Sequence, residues 1–200
     1  MKLIVISNPD FIKAEANIVN ALFEEGLRFF HLRKPDASLN DIDQLLKQIN
    51  PSFYERIALH QHHLTAGSYG IYRLHYPAAL RETTSSLYLV KEKLRGYKLS
   101  TSVHSAGEIS SLSSSFDYAF FSPVFNSISK KDYTGMSAAQ AVLPGKVATE
   151  IIALGGIDRT NISKLKAMQF DGAAVLGALW SAPARAVDQF KLMRNILEES

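Results

Sequence analysis

Two short apolar runs, each ending in glycine and separated by one helical segment, constrain this chain more than any other feature. Between Glu150 and Trp180 the sequence reads EIIALGGIDRTNISKLKAMQFDGAAVLGALW. Ile151 to Leu154 has the length and composition of a buried strand. Gly155-Gly156 lets the backbone turn sharply and approach a partner with no Cβ in the way. Asp158 or Thr160 can cap the helix that follows, whose apolar positions Ile162, Leu165 and Met168 recur at helical spacing. A second buried strand, Phe170 to Leu176, ends at Gly177. Neighbouring strand ends of this kind leave bare N–H groups around one space, and anions favour such groups. A lone Gly-Gly pair is a tight turn. Two such ends in this order read as a phosphate cradle, the role of the loops after strands 7 and 8 in a (β/α)₈ barrel.

The rest of the chain supplies the missing strands. Lys2 to Ile6 reads as strand 1, followed by a helix over Phe11 to Glu25 that Gly26 closes. Strand 2 is expected at Arg28 to Leu32, and a helix capped by Ser38 runs to Ile49, with Pro51 just beyond. Arg56 to Leu59, Gly70 to Leu74, Tyr97 to Val103 and Asp117 to Phe121 are expected as strands 3 to 6. Ser105 to Leu112 and Ser137 to Val142 read as short helices, and Arg185 to Leu197 as a closing amphipathic one. Residues 77–95 carry some helix and a candidate extended piece at Ser86 to Val90. Alternating strands and helices imply right-handed βαβ units and a parallel sheet. A doubly wound open sheet would want a glycine-rich turn after strand 1, and Ser7-Asn8-Pro9 offers none. The expected fold is α/β, a (β/α)₈ TIM barrel in one small domain over residues 1–200.

Composition narrows the function. The chain has 200 residues, 46% hydrophobic and 20% charged, enough for one proper core. Its net charge of +3 comes without a Lys/Arg run, so no nucleic-acid partner is expected. The absence of cysteine removes disulfides, thiolate nucleophiles and thiolate metal ligands. The N-terminal apolar run, Leu3 to Ile6, is too short for a signal peptide, and no stretch approaches the ~20 residues of a membrane span. A cytoplasmic protein with no membrane partner is the expectation, with self-association left open.

In such a barrel the chemistry sits at C-terminal strand ends. There the sequence offers His31 and Arg33, then His60, His75, Ser102 and His104, then Ser122 to Lys130 and the glycines. Histidine is the side chain best suited to moving a proton at neutral pH. The run His60-Gln61-His62-His63 suggests a metal site, but no Asp occurs between Asp43 and Asp117 to complete one. No metal site is expected, and His62 and His63 read as an exposed loop. Lys130 reads as an anion partner rather than a Schiff-base lysine.

The segments LRK (Leu32 to Lys34), SVHS (Ser102 to Ser105), DYAFFSPVFNSISKKD (Asp117 to Asp132), ALGGI with Asn161, and DGAAV (Asp171 to Val175) occur in that order. Together they resemble the thiamin phosphate synthase superfamily, which includes the TenI-like thiazole tautomerases. The most specific stretch is Ser122 to Lys131, where the family reads G-P-x-[FY]-x-T-x-T-K-K and serines here keep both hydroxyls.

The synthase branch joins a pyrimidine diphosphate to a thiazole phosphate. The resemblance implies that it uses Q-x-R-x-K on strand 2, Asn-Asp after strand 3 and Asp after strand 4, the acids holding Mg²⁺. Here His31 stands at the Gln position, Arg33 matches, Pro35 stands at the Lys position with Lys34 one place early, and His60-Gln61 replaces Asn-Asp. Mg²⁺ wants carboxylate and diphosphate oxygens, so these departures point away from the joining reaction. The thiazole-phosphate half is better kept. The resemblance implies phosphate contacts from Ser127, Ser129, Lys130, Gly155, Gly156 and Gly177, the last replacing a serine common in the family. Ser102 and Arg33 assist, and His31, His60 and His75 are expected near the rim. A metal-independent tautomerase would use His104 as general acid/base on a small phosphorylated thiazole. The alternatives are a synthase needing Mg²⁺ and a non-catalytic binder acting as a regulator.

Overall fold

A computed structural model describes residues 1–125 and 148–199 of the chain. Eight parallel strands close into a barrel in sequence order: β1 (Lys2–Ile6), β2 (Phe29–Leu32), β3 (Ile57–Leu59), β4 (Arg73–Tyr76), β5 (Lys98–Val103), β6 (Tyr118–Phe121), β7 (Glu150–Leu154) and β8 (Gly172–Val175). The expected (β/α)₈ fold is therefore present. Closure runs through β1, which pairs with β8 from Lys2↔Gly172 to Val5↔Val175 and with β2 on its other side. A strand inside such a barrel is buried on both faces, which fits the unbroken apolar run from Leu3 to Ile6 in β1. Leu3 and Val5 belong to the layer between sheet and helices, whereas Ile4 and Ile6 join the separate cluster inside the barrel.

The outer layer contains α1 (Glu15–Glu24), α2 (Leu39–Leu46), α3 (Ala78–Thr83), α4 (Ser86–Leu94), α5 (Ala106–Ser110), α6 (Gly177–Trp180) and α7 (Ala186–Glu199). Ala16, Val19, Leu22 and Phe23 of α1 are buried, as are Phe190, Met193 and Leu197 of α7, which packs on it. Ser38 caps α2 with a reciprocal pair, its side chain accepting from the Asp41 N–H. The Trp180 indole donates to the Ile6 carbonyl at 2.6 Å and ties α6 to the end of β1. No helix among the described residues is long and apolar enough to cross a membrane.

Several expected boundaries move for identifiable reasons. Ser86 to Val90 is helical, not extended, because Ser85 caps α4 by accepting from the Tyr88 N–H. Strand β4 starts three residues later than expected, because a 3₁₀ segment, His63–Tyr69, ends on Gly70 at φ +71°. The helix expected after β7 is only a 3₁₀ turn, Ile162–Leu165, and α1 starts at Glu15 rather than Phe11. The helix expected at Ser137 to Val142 lies outside the described residues.

The N-terminal end of the barrel is fastened by carboxylates. Asp117, just before β6, accepts from the Leu99 N–H of β5 at 2.7 Å and from Lys93. Asp171, just before β8, does the same for the Ile151 N–H of β7 at 2.7 Å. Beside it Gly172 is a close-approach glycine, since an added Cβ would stand 2.6 Å from the Lys2 carbonyl and 2.9 Å from Ile152 Cδ1. Backbone cannot yield as a side chain can. Gly172→Ala is expected to cost about 1–3 kcal/mol in denaturant unfolding, and an unchanged midpoint would show that β1 and β8 can separate locally.

Candidate functional site

The barrel interior holds an apolar cluster with polar groups packed against it. Ile4, Ile6, Tyr118, Phe120, Ile152 and Ala174 form the cluster, and His31, His75 and Ser100 are buried beside it, both rings against Phe120. Strand alternation explains the second set. Phe30 and Leu32 point out to the helices, which turns His31 inward, and Leu74 does the same for His75. Two of the three histidines expected near the rim, His31 and His75, are thus inside β2 and β4, at the floor of the site. His60 lies just past β3 and is 8% exposed.

Above this floor opens a pocket of about 190 Å³. Its polar wall is Arg33, His60, His75 and Ser102, and its apolar wall is Ile6, Pro77, Phe120, Leu154 and Leu176. Arg33 is held by its backbone: its N–H donates to the Ser7 hydroxyl and its carbonyl accepts from the same hydroxyl, both at 2.8 Å. His60 and His75 stack with centroids 4.0 Å apart and an interplanar angle of 23°. His31 Nδ1 lies 2.9 Å from His60 Nε2, and His31 Nε2 lies 2.6 Å from the Tyr118 hydroxyl. His75 is bracketed by Ser100 at 3.0 Å and Ser102 at 3.1 Å.

Burial sets the protonation of this floor. It pushes His31 down to about 3, with the Arg73 charge adding to the effect. Burial, then the neighbouring imidazoles, holds His60 and His75 well below the usual histidine range. Tyr118 is pushed up to about 12 by the same desolvation. At neutral pH the floor is a set of neutral donors and acceptors.

His104 occupies a different place. It is exposed, beyond the end of β5, and its Nδ1 lies 2.9 Å from the Ser122 carbonyl. A carbonyl can only accept, so Nδ1 carries a proton in this contact. Glu108 accepts from the His104 N–H and is paired at 2.8 Å with Arg81, which donates to the Ser102 carbonyl. The loop after β7 carries Gly155 at φ +98° and Gly156 at φ +63°. A Cβ at Gly155 would meet Pro123 Cα at 3.0 Å, and Asn161 donates to the Gly156 carbonyl at 2.8 Å. Because Leu154 pairs with Ala174, this loop lies beside Gly177, the first residue of α6. Ser127, Ser129 and Lys130 lie outside the described residues.

Other residues depart from their expected places. His62 and His63 are half-buried rather than exposed, their rings on the carbonyls of Ala37 and Leu59. Lys34 is fully buried, bonded to the carbonyls of Asn8 and Asp10 and to both oxygens of Glu15 at 2.7–2.8 Å. It belongs to the scaffold.

The donor set can be tested against the Mg²⁺ implied by the synthase branch. Just past β3 stand His60 and Gln61, and within β4 stands His75; Gln61 is engaged with the backbone of Lys34. No carboxylate lines the pocket among the described residues. Nitrogen donors do not fit a hard, oxygen-seeking ion. One ring nitrogen each from His31, His60 and His75 lie within 4.8 Å of one another, a spacing that invites a softer ion. The stacking of His60 on His75 opposes this, because near-parallel rings hold their lone pairs side by side, whereas a shared ion must lie in both ring planes.

Comparison with known proteins agrees with the barrel and the motifs. The family described as thiamine monophosphate synthase matches residues 3–179. A curated thiamine-phosphate synthase from Helicobacter pylori is 35% identical over 81 residues, which span 39% of this chain and only 36% of that protein. A thiamine phosphate pyrophosphorylase structure from Bacteroides thetaiotaomicron superposes with TM-score 0.79 at 28% identity, over 99% of this chain and 98% of the other. A pyrophosphorylase from Pyrococcus furiosus reaches TM-score 0.79 at 20% identity, over 99% and 96% of the two chains, a likeness of fold alone.

Proposed function

Because the chain belongs to the thiamine monophosphate synthase family, we propose that it acts on a phosphorylated thiazole as a TenI-like tautomerase. The observation that carries this reading is the pocket wall. It presents two neutral imidazoles, a hydroxyl and one arginine where the joining reaction would want oxygen ligands for a diphosphate-bound ion. Tautomerisation asks for less. A proton leaves one position of the substrate, another is added elsewhere, and the π electrons shift between them, so no oxidant or co-substrate is consumed. The apolar wall suits a ring, and Arg33 offers charge to an anionic group on it. Gly155, Gly156 and Gly177, with Ser127, Ser129 and Lys130, would hold the phosphate, and this reading requires no metal. His104, anchored through Nδ1 on the Ser122 carbonyl beyond the end of β5, is the acid/base group in this reading.

The test is to mix the protein with the non-aromatic carboxythiazole phosphate and follow aromatisation by ultraviolet absorbance. Turnover above background is expected, with His104→Ala slowing it about 100-fold or more. Absence of turnover in the wild type rejects the tautomerase reading. An unchanged rate in His104→Ala removes that residue from the chemistry. The names of the relatives favour the second reading, a synthase. It is tested by product formation from pyrimidine diphosphate, thiazole phosphate and Mg²⁺, which the pocket wall argues against.

A further inference from the structure

We propose that Arg81 on α3 and Glu108 on α5 form a positioning clamp that seats His104 on the Ser122 carbonyl and ties it to the pocket wall at the end of β5. The clamp rests on the tautomerase reading for its use, though not for its existence.

The segment it holds is weak by itself. Strand β5 ends at Val103, and α5 has only five residues, too few to be stable alone in water. Its cap is reciprocal. The Ser105 hydroxyl accepts from the Glu108 N–H, while Glu108 Oε1 accepts from the Ser105 hydroxyl and the His104 N–H. All three contacts measure 3.2 Å, at the long end for hydrogen bonds, and His104 is exposed.

The other carboxylate oxygen supplies the hold. Glu108 Oε2 accepts from one arm of the Arg81 guanidinium at 2.8 Å, and the second arm donates to the Ser102 carbonyl at 2.6 Å. The Arg81 side chain is 14% exposed, so the pair is largely sheltered from water. Glu82 stands 3.7 Å from the same guanidinium but is 68% exposed, which leaves Glu108 the closer and better sheltered partner. Partial burial pushes Glu108 up, but its bonds to Arg81 and the His104 N–H, with the Arg81 charge, hold it below the usual carboxylate range. One planar fork thus grips the chain at the Ser102 carbonyl and, through Glu108, at the His104 N–H. The Arg81 N–H donates to the Pro77 carbonyl at 2.9 Å, and Pro77 and Ser102 both line the pocket. Wall and histidine are therefore set by the same side chain.

Arg81 and Glu108 touch no substrate in this scheme and act through His104. By fixing the end of β5 they keep His104 Nδ1 at 2.9 Å from the Ser122 carbonyl, and Nε2 is the ring nitrogen that this contact does not occupy.

Selective ¹⁵N labelling of histidine tests the clamp on the protein alone. In alkaline buffer, two-bond ¹H–¹⁵N correlations report which nitrogen of a neutral ring carries the proton, and His104→Ala identifies the His104 signals by their loss. Wild-type His104 is expected to carry its proton on Nδ1. Arg81→Met removes both bonds but keeps a stem, and should move the proton towards Nε2, the form that imidazole favours in water. Arg81→Lys keeps the charge without the fork, should fall between the two, and decides the matter if Arg81→Met does not fold. A pattern unchanged from wild type rejects the clamp, as does a wild-type ring without a proton on Nδ1. With turnover, Arg81→Met should lower kcat about 10- to 100-fold. KM should change little, because His75 holds the Ser102 hydroxyl separately at 3.1 Å. In a His104→Ala background the same substitution should have almost no further effect on kcat. Equal losses in both backgrounds would show that Arg81 acts through the barrel rather than through His104, and would overturn the proposal. A wild type without turnover defeats the tautomerase reading, and the nitrogen patterns still decide the clamp.

Discussion

Lys34→Ala is expected to lower the melting temperature by about 6–20 °C. Its ammonium is wholly buried, between the Asn8 and Asp10 carbonyls and the Glu15 carboxylate, and 4.6 Å from the centre of the Phe11 ring. Burial raises Glu15 and lowers Lys34, each against the pull of the other, so the pair as a whole carries a desolvation cost. Removing one partner is a different matter. Glu15 would be left buried and uncompensated, together with two carbonyls that had shared the ammonium. Breaking a buried pair in this way costs roughly 3–5 kcal/mol, and a chain of this size loses ~2–4 °C per kcal/mol. The double substitution Lys34→Met with Glu15→Leu should recover most of the loss, since it removes both charges and fills similar volume. Thermal unfolding of the three proteins decides the matter. A single variant as stable as the double one would mean that water reaches Glu15.

The second large effect is acid sensitivity. His31 is held at about 3 in the folded protein, while an unfolded histidine titrates near its ordinary 6.5. The unfolded chain therefore binds a proton that the folded chain refuses. Stability is intact above pH ~6.5 and falls as pH drops towards 3. Between pH 7 and pH 5 this one group removes about 2 kcal/mol, and His60 and His75 act in the same direction. Against a total of about 5–15 kcal/mol, the floor alone can bring the protein close to unfolding at pH 5. Denaturant midpoints at pH 7 and pH 5 measure the loss. His31→Gln should flatten the dependence by about one proton, and equal midpoints at the two pH values would show that the floor accepts protons when folded.

Much of this architecture is legible in the residues. Leu3 to Ile6 and Ile151 to Leu154 are unbroken apolar runs, and both lie in strands of the structure. The Ser38 cap was visible because a serine stands just ahead of a helical segment, whereas its reciprocal partner Asp41 was not singled out. The histidines were visible as a group, but their depth was missed. His75 falls inside β4 only once Gly70 has closed the preceding 3₁₀ segment, and that frame is set by tertiary packing. His31 could have been placed correctly, since it alternates with Phe30 and Leu32. Lys34 gave no signal, because its partner lies 19 residues earlier and the pair exists only after β2 and α1 are docked. Local pattern fixes what is buried. Meetings between distant segments decide which polar groups are buried with it.

The Asp117 and Asp171 clasps divide labour along the barrel axis. Acids secure the edge where strands begin, leaving the opposite edge free to exchange carboxylates for imidazoles without loosening the cylinder. A lineage could thus retire one reaction and try another by rewriting residues that bear no weight. The clasps are what make such experiments survivable, and their loss should turn tolerated substitutions at the pocket into lethal ones.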